Sequence, residues 1–172
     1  MKTKLSFQIT SSVDLLNKLL QEYENFDKQH LNPRHAINCA ITSWHLTDWT
    51  YHEFYSEHSA YQDEVRIKKN GQEFQLSGLK KYQNWIIKEC DELKCMRFIA
   101  NGSKHCVLND ESLKFETATT VGQYSTAYSR HDYEVPKFII KINQHNSIDF
   151  EKAFLATRDF WINFLKRKEN AT

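Results

Sequence analysis

The sequence predicts an α+β protein, with a four-helix, bundle-like core, a small antiparallel sheet and an Asn-Gly hairpin between the second and third helices. Three observations carry this expectation. Long segments repeat apolar residues at helical spacing, and shorter ones alternate or run β-branched. Only 4 Gly and 2 Pro interrupt them. The 172 residues read as one domain spanning 1–172, since domains hold about 100–200 residues. The 11 Phe, 8 Tyr and 4 Trp point to an aromatic-rich core.

Each element has its own signal. Alternation predicts a short strand over 5–9. Ser11 and Asp14 form a capping-box start to the first helix, with Val13, Leu16, Leu20 and Tyr23 as its stripe and an end near Lys28. Pro33 suits the first turn of a second helix over 34–56. Asn70-Gly71, flanked by alternating residues, predicts a type I′ turn joining strands at 65–69 and 72–76. Ser77 caps a third helix over 79–101, stopped by Gly102. Segments 113–121 and 135–142 read as paired strands, with Pro136 at the start or edge of the second. Asn146 and Asp149 open a last helix that buries Phe150, Phe154, Trp161, Phe164 and Leu165.

Charge and motifs narrow the functional classes. The net charge of +1 argues against nucleic-acid binding by general electrostatics. The basic runs Arg66-Ile67-Lys68-Lys69 and Lys166-Arg167-Lys168 read as solvated surface. No apolar run follows Met1-Lys2-Thr3-Lys4, and no segment has the length of a membrane span, so a cytoplasmic location without a membrane partner is expected. Cys39, Cys90, Cys95 and Cys106 fit reduced thiols, and their spacing is not that of a zinc module. No P-loop, GxSxG, HExxH or dinucleotide fingerprint occurs.

Several polar residues fall where a plain core would hold leucine. On the second helix Ile37, Ala40, Ile41, Trp44, Tyr51 and Tyr55 share a face, with Asp48 at its centre, His52 beside it and His45 at the edge. On the third, Leu79, Tyr82, Ile86, Cys90 and Leu93 share a face with Arg97 in its middle. Ala100, Asn101 and Lys104 extend that face, and His105 lies at its edge. A buried unpaired ion costs several kcal/mol, so the two faces predict an Asp48–Arg97 ion pair.

Two stretches carry a resemblance: Trp44-His45-Leu46-Thr47-Asp48-Trp49, and Arg97-Phe98-Ile99-Ala100-Asn101-Gly102-Ser103-Lys104-His105. Together they resemble a group of uncharacterised bacterial proteins with an HLxDW…RxxxNxxKH pattern. More remotely, an arginine followed by a histidine at the end of a bundle helix resembles the HEPN superfamily of helical ribonucleases and nucleotide-binding proteins. That resemblance implies metal-independent action on RNA or a nucleotide, commonly across a homodimer. Arg97 would be the phosphate and transition-state stabiliser and His105 the general acid/base. The spacing departs from the family, because seven residues separate Arg97 from His105 and Phe98 follows the arginine.

Three functions therefore compete. The first is an HEPN-like RNA-cleaving or nucleotide-binding domain that needs no cofactor, with Arg97 and His105 supported by His45, Asp48, His52, Asn101 and Lys104. The second is a helical metal site, in which His45, Asp48 and His52 at i, i+3, i+7 join His105 to hold zinc, iron or nickel. The permanent cation of Arg97 weighs against a dication there. The third is a non-enzymatic interaction protein whose polar seam only locks the helices.

Overall fold

Among the described residues, five helices and two small antiparallel sheets follow one another, an α+β arrangement with a helical core. The computed structural model describes residues 7–104, 115–122 and 135–170.

Helix α1, Ser12–Lys28, starts at the expected capping box: Ser11 Oγ accepts from the Asp14 N–H at 3.1 Å, and Asp14 Oδ2 accepts from the Ser11 N–H at 3.0 Å. The same carboxylate takes the Thr10 N–H. These bonds curl the approach to the helix, and Phe7 stands at φ 54° in a turn. No strand runs through residues 7–9, and the rest of that predicted strand lies outside the described residues. The buried stripe is Leu15, Leu16, Leu19 and Phe26. Val13, Leu20 and Tyr23 are half-buried, because α1 packs on two other helices and its contact face is turned from the one periodicity selects.

Helix α2, Pro33–Phe54, has Asn32 as its cap, with Asn32 Oδ1 accepting from the Arg34 N–H at 3.1 Å. It is the central helix and touches every other helix. Its buried face is rich in small and hydroxyl residues: Ala36, Cys39, Ala40, Thr42, Ser43, Thr47 and Thr50, with Leu46 and Tyr51. Such side chains allow close approach on several sides. Two of the hydroxyls are met locally, as Thr47 Oγ1 donates to Trp44 O at 2.8 Å and Thr50 Oγ1 to Leu46 O at 2.6 Å. Burial pushes the thiols of Cys39, Cys90 and Cys95 up, to about 12, 11 and 11. They stay protonated at neutral pH and make poor nucleophiles.

A 3₁₀ turn, Ser59–Tyr61, leads into strands β1, Glu64–Ile67, and β2, Glu73–Leu76, which pair antiparallel as expected. The turn chemistry differs from type I′. Gly71 alone takes positive φ, at 80°, its N–H donates to Lys68 O at 2.9 Å, and the Lys68 N–H donates to Gln72 O at 2.8 Å. This is a type I turn closed by a G1-bulge glycine. Asn70 stays at negative φ and uses Oδ1 to accept from the Gln72 N–H at 3.1 Å.

The predicted third helix is two helices. Helix α3, Gly78–Glu89, is capped by Ser77 as expected, and α4 is Leu93–Lys104. Cys90 is extended, at φ −145° and ψ 99°, and its carbonyl accepts from the Leu93 N–H as the chain turns. Gly102 lies inside α4 and stops nothing. Apolar residues keep helical spacing on both sides of the break, so periodicity does not mark it.

Strands β3, Glu116–Thr119, and β4, Phe138–Lys141, pair as predicted, with Thr117 opposite Ile140. Pro136 stands just before β4. An unanticipated third strand, β5, Ser147–Asp149, pairs on the other side of β4. Asp149 then caps helix α5, Phe150–Glu169, accepting from the Glu151 and Lys152 N–H groups. All five aromatic and leucine positions predicted for this helix are buried. Rings from α2, the 3₁₀ turn, α3 and α5 meet in one cluster of Tyr51, Tyr55, Tyr61, Tyr82, Trp85 and Phe164.

Candidate functional site

Among the described residues singled out by sequence, Arg97 of α4 meets Trp44 of α2 in a surface seam where the two helices pack side by side. Arg97, Asn101 and Lys104 occupy α4 at i, i+4 and i+7, and so share one stripe. Trp44, His45, Asp48 and His52 share an edge of α2, where Asp48 and His52 line a shallow surface pocket with Thr10, Trp49 and Glu53. Arg97 and Asn101 are half-buried; Lys104, His45 and His52 are exposed.

The predicted Asp48–Arg97 ion pair does not form. Asp48 faces its own helix instead, with Oδ1 3.6 Å from His52 Nε2, and the two side chains are 50% and 60% exposed. The break at Cys90 rotates α4, so that Leu93, Cys95, Met96, Ile99 and Ala100 take the interior and Arg97 moves to the rim. There its guanidinium lies over the Trp44 indole, 5.7 Å from the ring centroid. An exposed i,i+4 pair contributes little. Asp48→Ala should therefore change the unfolding free energy by no more than about 0.5 kcal/mol. A chemical-denaturation loss of about 3–5 kcal/mol, the range for breaking a buried pair, would restore the interior ion pair.

Lys18 of α1 also belongs to this seam. Its Nζ donates to Thr42 Oγ1 at 2.7 Å and to Glu22 Oε1 at 3.0 Å. Partial desolvation holds the His45 imidazole below its usual value; Asp48 pulls it up, while Lys18 and Lys104 push it down. His45 is therefore neutral at physiological pH and can both accept and donate a hydrogen bond. Lys18 escaped the sequence reading because its bond to Thr42 depends on how α1 lies against α2. No local pattern signals it.

Among the described residues, no three His, Cys, Asp or Glu side chains converge as a metal site requires. His45, Asp48 and His52 share an edge of α2 without gathering around a common point. His105, the other predicted ligand and the predicted acid/base, lies outside the described residues. A cavity of about 550 Å³ behind the seam, between α2, α4 and the β3–β4 pair, is lined largely by apolar groups such as Ile37, Phe98 and Phe138. It offers little to a phosphate.

No family model, curated protein or solved structure matches the chain. No helix among the described residues is long and apolar enough to cross a membrane.

Proposed function

We propose that the α2–α4 seam binds the phosphate of an RNA or a nucleotide, as an HEPN-like domain that needs no metal. The observation that carries this reading is Arg97. Its guanidinium rests on the Trp44 face, and among the described residues no carboxylate lies within ion-pair distance of it. A cation–π contact does not consume the guanidinium N–H donors, which remain for an anion that the planar fork can hold through two parallel bonds. Lys104 adds positive charge near His45, and Lys18 lies close to it as well, paired with Glu22. With a net charge of only +1, this local group has to supply the attraction that the whole molecule does not.

His105 directly follows the last residue of α4 and is the general acid/base that the HEPN resemblance assigns. Neutral His45 is a second hydrogen-bonding group beside the phosphate. The resemblance further implies a bacterial protein acting as a homodimer, and the cytoplasmic location expected from the sequence is compatible with that reading.

Binding and cleavage of a fluorescently labelled single-stranded RNA, measured in EDTA, test the reading. Arg97→Ala and Lys104→Ala should weaken binding and each lower the salt dependence of log K by about one unit. His105→Ala should abolish cleavage while binding and circular dichroism stay unchanged. RNA and nucleotide binding that Arg97→Ala leaves intact would remove the phosphate-site assignment. Full cleavage by His105→Ala would remove the catalytic one.

A further inference from the structure

The β1–β2 hairpin has no place in the seam. It is a two-stranded sheet whose outer edges pair with no other strand among the described residues. A lone hairpin is marginally stable in water, and open strand edges are templates for pairing with another chain. The hairpin also exposes apolar residues: Val65 is 67% and Ile67 69% exposed, the two on one face of β1.

The hydrogen-bond phase decides which groups point outward. The Lys68 N–H bonds to the Gln72 carbonyl, and antiparallel pairs alternate between bonded and non-bonded. By register, Arg66 opposite Phe74 and Glu64 opposite Leu76 are then the bonded pairs. The backbone N–H and C=O groups of Val65 and Ile67 therefore face away from β2, along the open edge of β1.

We infer that this edge of β1 pairs with β1 of a second copy of the same chain, antiparallel about a two-fold axis at Arg66. In that register Val65 faces Ile67 of the other copy, and these residues carry the outward-pointing backbone groups. Glu64 faces Lys68 of the other copy, so the edge is complementary to itself in charge as well as in apolar contact. The two Arg66 side chains meet at the axis, each ion-paired to Glu64 of its own strand, which blunts their repulsion. Glu64 is also bonded to Lys81 at 2.5 Å, which anchors the strand to α3. The edge of β2 is less suited. Its outward residues are Glu73 and Gln75, and Gln75 Nε2 donates to Asp63 at 3.3 Å. Pairing through β1 closes on itself and yields a dimer with a four-stranded sheet rather than a fibre.

The proposal gives an interface to the homodimer named above but does not rest on the phosphate site, and it is tested without RNA, by sedimentation equilibrium of the full chain over a concentration series. The wild type should dimerise. Val65→Pro removes an outward N–H without touching the β1–β2 ladder, and Ile67→Lys removes the apolar pair. Each should raise the dimer dissociation constant by about tenfold or more, with circular dichroism unchanged. Glu73→Lys, on the opposite edge, should leave it within about twofold. A wild type that stays monomeric at its highest soluble concentration overturns the proposal. So does a dimer whose dissociation constant moves less than about twofold in both β1 variants.

Discussion

Replacing Trp161 by alanine should lower the unfolding free energy by about 3–5 kcal/mol, the range for truncating a fully buried large aromatic. Trp161 is completely inaccessible and is the largest of the fully buried side chains. It stands on α5 and packs edge-on against Phe160 and Phe164, at centroid distances of 5.1 and 5.6 Å. Its indole N–H crosses to α2 and donates to the Ser43 carbonyl at 3.1 Å. The residue is therefore a large apolar fill and a polar link between the last helix and the central one. Alanine would leave a cavity that close-packed helices cannot collapse around. Phenylalanine keeps part of the volume but has no donor for Ser43 O, so it should fall between alanine and wild type. Urea denaturation of both variants checks this. A loss below about 1 kcal/mol for the alanine variant would mean that α5 is not docked through Trp161.

Gly78→Ala should destabilise by an amount at or above the upper end of the usual overpacking range, about 1–3 kcal/mol. The reason is close approach. A Cβ at this position would fall on the Tyr61 carbonyl oxygen and within 2.5 Å of the Tyr51 hydroxyl. Neither obstacle moves easily. The Tyr61 carbonyl accepts from the Tyr51 hydroxyl at 3.2 Å, and the Tyr61 ring meets Tyr55, Tyr82 and Trp85. Gly78 itself is tied down, its N–H donating to Asp63 Oδ1 at 2.7 Å. Alanine is the better helix former by about 0.8–1 kcal/mol in a helix interior, and that preference opposes the clash without matching it. Thermal or urea unfolding gives the sign directly. A stabilised Gly78→Ala protein would show that the 3₁₀ turn yields freely.

Local chemistry made much of this fold legible. The Ser11–Asp14 box, Ser77 before α3 and Asp149 before α5 all satisfy backbone N–H groups within three residues. Nothing distant is needed to predict them. The position of the Asn70-Gly71 hairpin and the β3–β4 pairing were readable for related reasons. The three-residue strand β5 was not, because too few residues alternate to give a period.

The candidate site was legible as a list of residues and not as a geometry. A helical wheel sorts side chains by polarity and assumes one buried face. Helix α2 is buried on several sides, and hydroxyls serve it in the interior, so Thr42, Ser43, Thr47 and Thr50 went inward while Asp48 stayed half-exposed. A single extended residue, Cys90, then turned α4 so that Arg97 met Trp44 instead of Asp48.

Most element types and many of their ends follow from the sequence, because caps, turns and periodicity act over a few residues. Which face of each helix is buried, and which charged group meets which, follows from packing among helices distant in sequence. Those contacts depend on side-chain volume and crossing geometry, which no short window of residues encodes.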